Sequence, residues 1–206
     1  MKSAIRGLDA LLRRRLGVFE FCDAPDCVLR VRVAPAMRPI VLPDRLVPRG
    51  AAVLDLHLWN EHVPAMPPAG PDLAWALKFQ RRLILSFRAL AGHVPHDSRM
   101  ATAQAVGGVT VLLLPGDEGG SEKLLRRLGF TVFPYHSPLG RFGEFWENLF
   151  SWWIMWTYNP ASLRQRRFTR LQRTEVWMTM TAFIGRYGRE DFGFPVLDFG
   201  SRNLSC

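Results

Sequence analysis

Apolar and polar residues nearly alternate from Val53 to Trp59, the period of a β-strand with two unlike faces. Leu54, Leu56 and Leu58 point one way, while Val53, Asp55, His57 and Trp59 point the other. Gly50 before it and Pro64, Pro67 and Pro68 after it bound the strand. Upstream, Ala4, Ile5, Leu8, Leu11, Leu12 and Leu16 recur at helical spacing, which predicts an amphipathic helix over residues 2–15 that stops at Gly17, packed on the domain by its apolar stripe, with a membrane-surface anchor as the alternative. Strands over 18–21 and 28–33 follow, joined by a turn rich in Asp and Pro. In the second of these, Arg30 and Arg32 alternate with Val31 and Val33 and read as a solvated basic face. Residues 39–42 read as a short edge strand, where Pro is tolerated. Asp72 is the expected N-cap of a long helix reaching about Gly92, with Leu73, Leu77, Ile84, Phe87 and Ala91 as its apolar stripe.

In the second half, residues 109–114 form a continuous apolar run, the pattern of a strand buried on both faces. A Gly-rich turn at 115–120, a helix at 122–128 and a strand at 130–135 complete a strand–helix–strand unit, so part of the sheet is expected to be parallel. A helix over 139–158 breaks at Asn159-Pro160; a strand over 175–180 and a last helical turn to Tyr187 follow. These elements predict an α+β protein: one domain over 1–190 with a mixed β-sheet packed by several helices, and a C-terminal extension over 191–206.

Composition narrows the class. The chain has 206 residues, 48% of them hydrophobic and 22% charged, enough for one substantial core and too apolar for wholesale disorder. Lys and Arg number 27 against 18 Asp and Glu, a formal net charge of +9 that favours an anionic partner. The three cysteines, Cys22, Cys27 and Cys206, contain no Cys-x-x-Cys pair, and an odd count speaks against a disulfide framework and for a reducing compartment. Arg13, Arg14 and Arg15 interrupt any signal-peptide core, and no run reaches the ~18 apolar residues of a membrane-spanning helix. The expected location is cytoplasmic, at most peripheral to the inner membrane.

Two stretches carry candidate chemistry. Asp55 and His57 lie two apart on one strand face, where a carboxylate can orient an imidazole; with Asn60 and Glu61 they form the candidate acid/base set. The alternative is a polar sheet face covered by loops. His57, Glu61, His62, His93, His96 and Asp97 are metal-ligand types, but His57-x-x-x-Glu61-His62 misses the known zinc spacings, so no metal and no cofactor is expected. At the Gly-rich turn, Asp117 and Glu118 would repel a phosphate, which leaves an ordinary turn. The second stretch holds Phe142, Phe145, Trp146, Phe150, Trp152, Trp153, Trp156 and Tyr158, followed by Arg164, Arg166, Arg167, Arg170 and Arg173. Three readings stand: a helix at the domain core with the arginines solvated, a membrane-surface element, or a groove that stacks nucleic-acid bases.

Four pieces of the chain together resemble the YkoP-like domain family of bacteria. They are Gly17-Val18-Phe19-Glu20-Phe21 with Asp26-Cys27-Val28-Leu29-Arg30-Val31, the strand Leu54-Asp55-Leu56-His57-Leu58-Trp59-Asn60-Glu61, the pair Leu128-Gly129-Phe130 with Val132 and Pro134, and Asn159-Pro160 with Glu175-Val176-Trp177. The resemblance spans about Leu16 to Arg186. It implies a domain found alone or attached to polysaccharide deacetylase domains, and so a part in cell-envelope glycan or lipid metabolism. The family has no established activity, so no catalytic role carries over, and the deacetylase domain with its metal-binding motifs is absent from this chain. The resulting expectation is an accessory domain at the membrane surface. Trp152, Trp153 and Trp156, with Arg164, Arg166, Arg167 and Arg170, would meet anionic lipid or a membrane-bound envelope enzyme. The alternative is a small enzyme using Asp55, His57, Asn60 and Glu61 on an envelope-related, acyl or sugar substrate.

Overall fold

The computed structural model describes residues 2–111, 120–135, 137, 139–163 and 173–188. Five strands form the main sheet: β1 (Leu29–Pro35), β4 (Ala52–Leu58), β5 (Ala105–Val111), β6 (Thr131–Pro134) and β7 (Arg173–Thr179). The short strands β2 (Ile40–Val41) and β3 (Leu46–Val47) pair only with each other. Among the described residues five α-helices accompany them: α1 (Lys2–Leu16), α2 (Leu73–His93), α3 (Gly120–Arg127), α4 (Gly140–Tyr158) and α5 (Met180–Tyr187). The fold is α+β.

The sheet order is β1-β4-β5-β7-β6, and among the described residues only the β4–β5 pair is parallel. The sheet is therefore mixed, as the strand–helix–strand pattern predicts, but the parallel neighbours are not the two strands of that unit. β7 inserts between β5 and β6 and pairs antiparallel with both. The parallel pair is instead bridged by α2, a crossover long enough to return the chain to the starting edge.

One sheet face carries the core. Val31, Leu54, Val106, Val176 and Met178 pack under Ile84, Phe87 and Leu90 of α2 and Phe183 of α5. Phe87 meets Phe183 edge-on with ring centroids 5.8 Å apart, and the Tyr187 hydroxyl donates to the Leu128 carbonyl at 2.7 Å. Asp72 caps α2 as expected, its Oδ1 accepting from the Trp75 amide at 2.7 Å. The predicted stripe of α2 holds only from Ile84 onward. Leu73 and Leu77 are exposed, and the first turns instead bury Trp75, whose Nε1 donates to the Pro64 carbonyl at 2.9 Å. The loop after β4 covers that side of the helix. Gly92 lies inside α2, which runs to His93 and tightens into a 3-10 turn over Val94–His96.

On the other sheet face, Ile40, Leu42 and Val47 of the β2–β3 hairpin cover Val53, Ala105 and Trp177. Residues 39–42 are thus not an edge of the main sheet. Arg38 to Glu175 at 2.7 Å and Thr179 to Asp44 at 2.6 Å tie the hairpin down. Gly107 admits the Trp177 ring, since a Cβ there would come within 1.9 Å of the Val176 carbonyl and 2.6 Å of that ring. The segment 18–21 contributes one bridge, Phe19 to Val31, rather than a strand. β5 begins earlier than predicted, and Val109 is exposed rather than buried on both sides. Residues 112–114, most of the Gly-rich turn and the extension at 191–206 lie outside the described residues. Cys27 keeps a free, buried thiol.

Phe183 is fully buried among aromatic rings, so Phe183→Ala is expected to lower unfolding free energy by about 3–5 kcal/mol in urea titrations.

Candidate functional site

The face of β4 that bears Asp55 and His57 runs beyond the hairpin, and β1 supplies its neighbours. The antiparallel register sets Arg32 opposite Asp55 and Arg30 opposite His57. In the Arg32–Asp55 pair acid faces base across the strands, the arrangement that favours a cross-strand ion pair. Arg32 and Asp55 form a close salt bridge. His57 Nε2 lies 3.3 Å from Asp55 Oδ2, a contact that is not aligned as a hydrogen bond. Gly108, at φ +151°, makes room for this carboxylate: a Cβ there would stand 2.8 Å from Asp55 Oδ1. Burial pushes the Asp55 carboxyl up, but the His57 ring and the Arg32 guanidinium outweigh it, and the group is held below the ordinary carboxylate value. The predicted pairing of Asp55 with His57 is therefore present.

Glu61 belongs to a different cluster, centred on Arg30. That guanidinium is buried, with 5% of its side chain exposed, which corrects the expectation of a solvated basic face. It donates to Glu20 at 3.0 Å through Nε and to Glu61 at 3.4 Å through Nη1, and it stacks 4.3 Å over the Trp59 ring. Trp59 in turn stacks on His62, whose Nδ1 is 2.8 Å from the Cys27 carbonyl. Glu61 also accepts from the Tyr158 hydroxyl of α4 at 3.3 Å and pairs with Arg13 of α1 at 3.8 Å. Arg13 holds Asp9 at 3.1 Å. Burial pushes the Asp9 carboxyl up, with Arg13 pulling against it; burial and the nearby Glu61 likewise raise the Tyr158 phenol. Asn60 is half-buried in the turn between the two clusters. Of the four candidates, then, Asp55 and His57 meet each other, and Glu61 serves as the joint of α1, β1 and α4.

His93 pairs with Asp97 at 3.6 Å at the far end of α2, away from β4. Among the described residues, no three His, Cys, Asp or Glu side chains gather as a metal-binding group. His136 lies outside the described residues.

The aromatic helix does not occupy the core. α4 buries Gly143, Ile154 and Thr157 and turns its polar residues inward. Glu147 accepts from Ser137 at 2.8 Å and from Tyr135 at 3.0 Å, while Arg173 donates to Asn148 at 3.2 Å and to Ser151 at 2.7 Å. Burial and the Glu147 carboxylate push the Tyr135 phenol up to about 12, and burial lowers Arg173. On the opposite side, Phe142, Trp146 and Trp153 recur at helical spacing and are 68%, 51% and 40% exposed. Of the three expected tryptophans, Trp153 is exposed and Trp152 and Trp156 are half-buried. Phe142 and Trp146 extend the exposed face by a ring contact at 6.2 Å. Arg164, Arg166, Arg167 and Arg170 lie outside the described residues.

Pattern reading missed the Arg30 cluster and the Glu147 cluster. No local period signals the first, because Arg30 takes its carboxylates from 10 and 31 residues away.

Asp55 contributes stability that is complete above the unfolded carboxylate value and is lost as pH falls through its depressed folded value. Wild-type stability is therefore expected to drop below about pH 4, and Asp55→Asn to lose ~1–3 kcal/mol at neutral pH and show a flatter acid limb in urea titrations. Glu147→Gln is expected to bring the Tyr135 titration down from about 12 toward that of an ordinary phenol, read by phenolate absorbance.

No curated protein and no solved structure matches the chain. The YkoP domain model matches residues 24–187, which include the whole sheet and helices α2 to α5. The chain belongs to the YkoP domain family.

Proposed function

We propose that the protein is an accessory binding domain that works at the cytoplasmic surface of the membrane in cell-envelope glycan or lipid metabolism. The observation that carries this reading is the orientation of α4. Its Glu147, Asn148 and Ser151 side chains are spent on holding the helix to the segment after β6 and to β7, and Phe142, Trp146 and Trp153 are left facing outward. A soluble helix without a partner has the reverse arrangement. Exposed Phe and Trp rings suit the headgroup level of a bilayer, where an apolar body and a polar edge are both satisfied. The net charge of +9 supports an anionic surface as the partner.

A second reading, a small enzyme acting on an envelope-related, acyl or sugar substrate, keeps one observation in its favour. Arg32 Nε and His57 Nε2 are both buried without a hydrogen-bond partner, next to an ionised Asp55. A polar ligand on that face would satisfy them. Glu61 would take no part, being committed to Arg30, Arg13 and Tyr158.

Co-sedimentation with vesicles tests the first reading. The protein is expected to bind phosphatidylglycerol vesicles, to release them as salt rises, and to leave pure phosphatidylcholine vesicles largely unbound. Trp146→Ala/Trp153→Ala, at exposed positions, is expected to weaken binding about tenfold without changing the fold. An absence of binding to every vesicle would sink the reading; capture only by a membrane-bound enzyme would replace the lipid with a protein partner.

A further inference from the structure

We infer that α1 is a second lipid-contacting element, laid beside α4 against the same anionic bilayer; this rests on the membrane reading of α4. A helix docked on a globular domain turns its apolar stripe inward. In α1 the stripe is split. Ile5 is buried, but Leu8 and Leu11 are 40% and 63% exposed, and Leu16 is exposed at the helix end. Beside Ile5, what the helix turns inward is polar. Asp9 is buried, and Arg13 reaches Asp9, Glu61 and Glu20. Charged side chains thus share the docking with Ile5, which leaves Leu8 and Leu11 for another surface.

Three further observations say what that surface is. Leu8, Leu11 and Arg15 are spaced at three and four residues, so they share one side of α1, and Arg14 is exposed beside them. Leucines flanked by exposed arginines match the acyl boundary and anionic headgroups of a bilayer better than an uncharged protein groove. α1 packs against α4, and Glu61 joins the two by holding Arg13 of one and the Tyr158 hydroxyl of the other. The leucine edge and the aromatic face therefore belong to neighbouring helices fixed at one joint. Finally, α1 precedes residue 24, where the match to the family model starts, so this contact lies outside the part of the chain that the model describes.

The test uses the full chain and neutral substitutions, so that lost binding reports apolar contact rather than charge. Leu8→Gln/Leu11→Gln is expected to weaken binding to phosphatidylglycerol vesicles by roughly fivefold or more, with an unchanged circular dichroism spectrum and melting temperature. The same change at exposed leucines of α2, Leu73→Gln/Leu77→Gln, is expected to leave binding unaltered. Arg14→Gln/Arg15→Gln is expected to reduce the salt sensitivity of binding, which gives a readout independent of the leucines. If Trp146→Ala/Trp153→Ala weakens binding while the α1 variants bind and respond to salt like the wild type, the inference about α1 is overturned and the reading of α4 stands. If the wild type binds no vesicle, both fall.

Discussion

A guanidinium taken out of water has to be matched by carboxylates, and Arg30 imposes that requirement on three parts of the chain at once. It rises from the second residue of β1, where the strand is buried on both faces. Leaving it unpaired would cost several kcal/mol. Glu20 from the segment before β1 and Glu61 from the turn after β4 supply the charge, and Trp59 supplies a flat face for the guanidinium plane. Glu61 then has capacity left for Arg13 and Tyr158, and through them α1 and α4 are drawn to the sheet. The position of both helices follows from an electrostatic debt incurred on β1.

This explains an arrangement that a hydrophobic core alone would not produce. The larger apolar cluster lies on the opposite sheet face, under α2 and α5, and draws no buried residue from α1 or α4. The two outer helices are held chiefly by ion pairs and hydrogen bonds, with few buried apolar residues of their own. Polar attachment has a geometric benefit: bonds between fixed donors and acceptors set an orientation more sharply than apolar contact does. It also leaves the apolar side chains of those helices uncommitted, as Trp146, Trp153, Leu8 and Leu11 are.

Much of this was legible where a local period carries the information. The two faces of β4, the Asp72 cap, the helix over 139–158 and the approach of His57 to Asp55 all follow from spacings of a few residues. What escaped depends on partners distant in sequence. Arg30 reads as solvated because nothing near it in the chain announces that Glu61 will be its neighbour, 31 residues on. The orientation of α4 was equally hidden, since aromatic residues occur on most of its circumference and the deciding groups are Ser137 and Arg173 from outside the helix. The loop that buries Trp75 instead of Leu73 belongs to the same class: tertiary cover, not amphipathic phase, chose the inward side.

The position of β7 between β5 and β6 has a consequence for the order in which the molecule can assemble. β1, β4 and β5 are contiguous in space and are all made by residue 111, so a three-stranded sheet under α2 can form early. β6 has no strand to pair with until Arg173–Thr179 emerges, and α5, which completes the aromatic core around Phe87, emerges later still. During synthesis the β5 edge, with Gly107 and Gly108 exposed in it, stands open to any extended chain nearby. Closure then depends on pairing strands far apart in sequence, the slow step of folds rich in non-local contacts. A nascent chain of this protein has its greatest exposure to misassociation just before its last strand arrives.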